Sequence, residues 1–152
     1  MPDALPPDRS YAARRRWMGI LARADAAELG ERLGASPPYT VLRGPESGLV
    51  MVRGRTGGGG APFNLGEMTA TRCSVRTATG FVGHAYVAGR KDRLAELAAV
   101  ADALLQDPNL QGALLEDVIE PLASMQQARR DGVAAKAAAT RVQFFAMRNM
   151  RA

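Results

Sequence analysis

The run Thr69-Ala70-Thr71-Arg72-Cys73-Ser74-Val75-Arg76 alternates polar and apolar residues at period two. Ala78-Thr79-Gly80 supplies a turn, and Phe81-Val82-Gly83-His84-Ala85-Tyr86-Val87 returns as another strand. After Gly89 the period changes: Leu94, Leu97, Val100, Ala101, Leu104 and Leu105 recur at helical spacing until Asp107-Pro108. Residues 90–107 therefore read as one amphipathic helix, stopped by a proline that cannot continue it. A hairpin that feeds a helix directly belongs to the α+β class.

Working back toward the N-terminus, Tyr39-Thr40-Val41-Leu42-Arg43 and Leu49-Val50-Met51-Val52-Arg53 flank Gly44-Pro45-Glu46-Ser47-Gly48, a segment dense in turn formers. That pattern predicts a second hairpin, hence a four-stranded, mainly antiparallel sheet over residues 38–88. Gly57-Gly58-Gly59-Gly60 predicts a loop, because glycine loses the most conformational freedom in a strand. Residues 1–35 predict an N-terminal helix capped by Asp8 or Ser10 and ended at Ser36-Pro37-Pro38, with Gly19 and Gly30 as weak points. Residues 109–150 predict a helical tail that Pro121 kinks or restarts and that Asp131-Gly132 can interrupt. C-terminal helices are expected to pack on the sheet or on a partner. At 152 residues the chain makes one domain, 1–152, with no need of a disulfide or structural metal.

Charge is unevenly placed. Residues 1–35 carry six basic and five acidic groups, residues 36–91 seven and two, residues 92–128 one and seven, and residues 129–152 six and one. Basic blocks around a strongly acidic one suggest complementary protein contacts more than a continuous nucleic-acid track. Aromatic residues at 5% leave little for base stacking, although a pI near 10.1 keeps a basic nucleic-acid-binding domain as a rival reading. No apolar run approaches a membrane span and the N-terminal residues lack a signal-peptide core, so the expected location is the cytoplasm.

Catalytic equipment is sparse. One cysteine and one histidine exclude CxxC and HExxH metal sites. Cys73 reads as a small core hydrophobe, and a Cys73–His84 nucleophile pair is disfavoured because nothing places a base beside the thiol. Glu116 and Glu120 share a helical face but have no histidine or cysteine near them, so they read as a solvated acidic face or an interface patch. The candidate ligand-binding residues are Arg53, Arg55, Gly57, Gly58, Gly60 and Arg72: consecutive glycines let backbone N–H groups converge on an anion, and guanidinium forks match phosphate. The match to known phosphate loops is loose, and a flexible inter-strand loop is the competing interpretation. Candidate interface residues are Trp17 of the first helix and Phe144, Phe145 and Met147 of the tail, where a chain end this apolar ordinarily packs against something. No catalytic and no metal-binding residue is expected.

Several stretches taken together resemble one family. They are Arg15-Arg16-Trp17-Met18; the block from Gly57 through Gly60-Ala61-Pro62-Phe63-Asn64-Leu65-Gly66-Glu67-Met68-Thr69 to Thr71-Arg72-Cys73; Tyr86-Val87-Ala88-Gly89-Arg90; Asp102-Ala103-Leu104-Leu105-Gln106; Ile119-Glu120-Pro121-Leu122; and Thr140-Arg141-Val142-Gln143-Phe144-Phe145. In this order they resemble the G subunit of the carbon–phosphorus lyase system, the PhnG family. The resemblance implies a part in bacterial phosphonate breakdown, in a core complex with the H, I and J subunits and with the L subunit associated. It implies that the complex transfers ribose triphosphate from ATP to an alkylphosphonate such as methylphosphonate and releases adenine. It also implies that the chemistry belongs to the partners, with no cofactor held by this chain. A direct grip on triphosphate or phosphonate by the Gly/Arg loop is the alternative role.

Overall fold

The computed structural model describes residues 9–55, 57 and 59–142. It is α+β, with helices α1 (Arg9–Leu21) and α2 (Ala26–Leu33) followed by strands β1 (Tyr39–Gly54), β2 (Phe63–Thr77) and β3 (Val82–Ala88). Helices α3 (Asp92–Leu104) and α4 (Pro108–Leu114), a π-helical turn (Leu115–Ile119) and α5 (Glu120–Ala139) complete it. The sheet is antiparallel in the order β1-β2-β3.

It has three strands among the described residues, not the four predicted. Gly44–Gly48 does not reverse the chain. β2 is 15 residues long and pairs with β1 from Tyr39↔Thr77 to Gly54↔Phe63, so both halves of β1 are claimed by one partner. The turn formers are absorbed as register shifts between Val41 and Arg43 and between Arg43 and Glu46. Gly44 makes this possible: its φ is 74°, and a Cβ there would lie 2.5 Å from the Arg72 carbonyl oxygen. The true hairpin connection is the glycine-rich segment, where Gly57 and Gly60 take positive φ.

The N-terminal helix is also divided. Asp25 accepts from the backbone N–H groups of Ala27 (2.9 Å) and Glu28 (3.2 Å), capping α2 and breaking the chain from α1. Gly19 and Gly30, expected as weak points, lie inside the two helices. Ser10 falls within α1 rather than ahead of it, and Asp8 lies outside the described residues.

α3 is buried all round rather than on one face. From Leu94 to Leu104 every residue except Glu96 is buried. Its alanines let β2 and β3 close on it from one direction and α1 and α2 from another. Alternation in β2 and β3 puts Thr71, Cys73, Val75, Gly83, Ala85 and Val87 on the α3 face, leaving Arg72, Ser74, His84 and Tyr86 on the open face. The crossing at Gly83 is tight: a Cβ there would collide with the Ala99 carbonyl oxygen and lie 2.5 Å from the Ala103 nitrogen.

α3 ends at Leu104, three residues short of the predicted stop, and Asp107 caps α4, accepting from Asn109 N–H at 2.9 Å with Pro108 opening the new helix. Pro121 sits in the first turn of α5, just beyond the π turn. A proline ring displaces the carbonyl four residues earlier, here that of Asp117, and Arg32 donates to that oxygen at 3.4 Å. Asp131-Gly132 does not interrupt α5, whose alanine-rich flanks outweigh the roughly 1 kcal/mol cost of one helical glycine. Residues 127–142 are all exposed, so the second half of α5 stands clear of the body. The C-terminal helices pack on α1, α2 and α3, and the sheet is covered by α3. Among the described residues no helix is long and apolar enough to cross a membrane.

Candidate functional site

β3 pairs only with Ala70–Arg76 of β2. Residues 49–54 of β1 and 63–69 of β2 therefore run on as a two-stranded ribbon beyond the helix-covered part of the sheet. Its apolar residues are open to solvent: Leu49 at 66%, Met51 at 51%, Phe63 at 48% and Leu65 at 50% exposure. Leu49 and Met51 share one face, opposite Thr69 and Glu67. Such a concentration of exposed large apolar residues on one projecting element marks an interaction surface.

The predicted ligand-binding residues divide between two places. Arg53, Arg55, Gly57 and Gly60 gather at the ribbon tip, where Arg53 donates to the Pro62 carbonyl oxygen at 3.4 Å. Gly58 lies outside the described residues. Arg72 belongs to the body of the sheet, opposite Glu46, whereas Arg53 is opposite Asn64. Eight residues of strand separate Arg72 from Asn64, about 26 Å at 3.3 Å per residue, so Arg72 does not reach the tip. It is already engaged: Arg72 Nε and Arg43 Nε each donate to Glu46 Oε1 at 2.6 Å. The bonds from Arg43 and then Arg72 hold the Glu46 carboxyl below the usual carboxylate range.

Two sheet faces separate Cys73 from His84. The thiol is in the core, its pKa pushed up first by burial and then by the charge of Glu96, so it stays protonated and inert at neutral pH. His84 is on the open face, with Nδ1 2.8 Å from Ser74 Oγ. Glu116 lies in the π turn and Glu120 opens α5, both exposed, and Glu120 is bound by Arg16 through a two-pronged contact at 2.8 and 2.9 Å. Among the described residues there is no group of three His, Cys, Asp or Glu side chains that could hold a metal ion.

Trp17, expected at an interface, is 3% exposed and turned into the core. Its indole N–H donates to Asp102 Oδ1 at 2.9 Å. Phe144, Phe145 and Met147 lie outside the described residues. Asp102 is the polar residue that sequence reasoning did not single out. It is fully buried and also accepts from Arg14 Nε (3.1 Å) and Nη2 (2.7 Å) and from the His84 backbone N–H (2.9 Å). Four donors converge on one carboxylate, which ties α1 and the edge of β3 to α3 and compensates its desolvation. The signal was a lone aspartate inside the apolar run Ala98-Ala99-Val100-Ala101-Asp102-Ala103-Leu104-Leu105. Asp102 is structural in its contacts: it fixes the body from which the ribbon projects.

The family model described as phosphonate metabolism protein PhnG matches residues 12–149. The chain is 46% identical over 143 residues to the alpha-D-ribose 1-methylphosphonate 5-triphosphate synthase subunit PhnG of Rhizobium meliloti (strain 1021), covering 92% of this chain and 91% of that protein.

Proposed function

Because the chain belongs to the PhnG family of phosphonate-metabolism proteins, we propose that it serves as an accessory, non-catalytic subunit of a ribose 1-methylphosphonate 5-triphosphate synthase. In this reading it works in the cytoplasm beside the H, I and J subunits, with L associated. The complex, not this chain, consumes ATP and methylphosphonate and releases adenine. The observation that carries the accessory role is the ribbon: Leu49, Met51, Phe63 and Leu65 are held out from the body with nothing of the described chain over them. A partner that covers them gains the hydrophobic contribution, about 1.5–3 kcal/mol for each side chain fully buried, before the costs of association. The Asp102 network fastens α1 and β3 to α3, the body from which the ribbon projects.

Reconstitution tests it. With separately purified subunits, adenine release from ATP and methylphosphonate should require this chain but never occur with this chain alone. Leu49→Ser combined with Phe63→Ser should leave the thermal midpoint of the isolated chain unchanged, since both side chains are exposed, and should weaken co-elution with the partner subunits. Adenine released by the chain alone would overturn the accessory role. Full assembly of the double variant would overturn the role of the ribbon.

A further inference from the structure

Helices α1 and α5 face one another across an open cleft of about 660 Å³. On α1 the cleft-facing positions recur at three- and four-residue steps, the spacing that ordinarily carries an apolar seam between packed helices. Here Arg15, Arg16 and Gly19 of α1 line the cleft with Arg23 of the turn just past the helix, and α5 answers with Ser124 and Arg130. Ala12, Ile20 and Ala123 line the same cleft, so the guanidinium groups stand beside small and apolar residues. Four arginines line one cavity, and of these Arg16 is neutralised by Glu120. Among the described residues no carboxylate lies within ion-pair distance of Arg15, Arg23 or Arg130, although Arg14, Arg32, Arg43 and Arg72 all have one.

The remaining positive charge is aimed rather than scattered. Arg23 folds back over Gly19, where an added Cβ would lie 3.3 Å from its Nη2. Arg130 is oriented by a 2.7 Å bond from its Nη2 to Gln127 Oε1, and Gln126 Nε2 donates to the Ile20 carbonyl oxygen at 2.8 Å, tying the helices together beneath the cleft. Arg15 lies within α1 and Arg23 in the turn two residues past its end; the stretch from Arg15 to Leu21 alone spans about 9 Å at 1.5 Å per residue. A row of bidentate donors of that length fits a linear polyanion, and guanidinium geometry favours phosphoryl oxygens.

We infer that the α1–α5 cleft is a binding site for a short chain of linked phosphoryl groups, free or carried on a nucleoside. The site is distinct from the ribbon and from the Gly/Arg loop at its tip, and the inference stands whether or not the accessory role does. The cost of holding three like charges around one cavity is relieved when the anion enters.

Isothermal titration of the full-length chain with inorganic tripolyphosphate tests this. Binding should saturate at one equivalent and weaken steeply with added salt. Arg23→Ala combined with Arg130→Ala should weaken it about ten-fold or more, as expected for loss of charge-assisted bonds. Arg129→Ala, a basic residue of α5 outside the cleft, should leave it unchanged. ATP binding as well as tripolyphosphate would show that the phosphate chain alone is read; tighter ATP binding would add nucleoside contacts, and both outcomes support the site. No binding at millimolar tripolyphosphate, equal binding by the double variant, AMP binding as tightly as ATP, or tighter binding of an oligoglutamate peptide would overturn it. The last result would make the cleft a seat for an acidic protein segment. Assembly tests on the ribbon variants read a different surface, so either idea can fail without the other.

Discussion

Asp102→Ala removes the acceptor for Arg14, for the Trp17 indole and for the His84 backbone in one step. The indole and the His84 N–H are buried or part-buried, and each unsatisfied donor costs about 1–3 kcal/mol. Arg14 keeps 32% of its side-chain surface and can turn toward water, so its loss adds little. The total is about 2–6 kcal/mol, two donors at that cost each. At about 2–4 °C per kcal/mol for a chain of this size, the thermal midpoint should fall by roughly 10 °C. Trp17 is the chain's single tryptophan and touches the deleted carboxylate, so its fluorescence during urea titration reports the event at its source. Asp102→Asn should be milder, because one acceptor oxygen survives. A loss within about 0.5 kcal/mol for the alanine variant, the level of an ordinary surface change, would refute the idea that this carboxylate fastens α1 and β3 to α3.

Gly83→Ala should cost about 3 kcal/mol, the upper part of the range for overpacking, because the new methyl meets helix backbone that cannot swing aside; an unchanged melting curve would refute the close crossing. Cys73 should resist iodoacetamide in the native chain at pH 8 and react once the chain is unfolded, and rapid native alkylation would contradict its burial. The Glu120 carboxyl is held below its ordinary range chiefly by the hydrogen bond from Arg16. Its contribution is present above the unfolded carboxylate pKa and is lost as pH falls through the lower folded value, so Glu120→Gln should flatten the acid limb of stability, measured as thermal midpoint against pH. An acid limb identical to that of the unaltered chain would dismiss the pair.

What the sequence announced clearly was set by local chemistry. Alternation through Cys73 and Val75 comes from strand geometry, and the change of period after Gly89 with the stop at Asp107-Pro108 comes from helix geometry. The split between α1 and α2 was missed: Asp25 followed three residues later by Glu28 is a helix-start pattern that the reading of one continuous helix passed over. The continuity of β1 was not legible. Gly44–Gly48 has turn chemistry, and only the length of β2, a partner many residues away, decides that the chain goes straight on. Trp17 stands beside three arginines and looked like an interface anchor, yet α1 turns it toward Asp102, a pairing across 85 residues that no local window contains. The glycine loop was correctly placed at a chain reversal, whereas joining Arg72 to it required a register unknown before the strands were aligned.

The ribbon has a consequence for the protein's fate in the cell. Two strands without a third are marginal by themselves, and here they end in a glycine-rich tip. If partner subunits cover the ribbon as proposed, a copy synthesised in excess of them presents bare backbone and oily side chains where a protease can grip, and proteolytic nicking concentrates at such tips. Surplus copies should be cleared while incorporated ones persist, so that turnover itself keeps the amounts of the gene products in step.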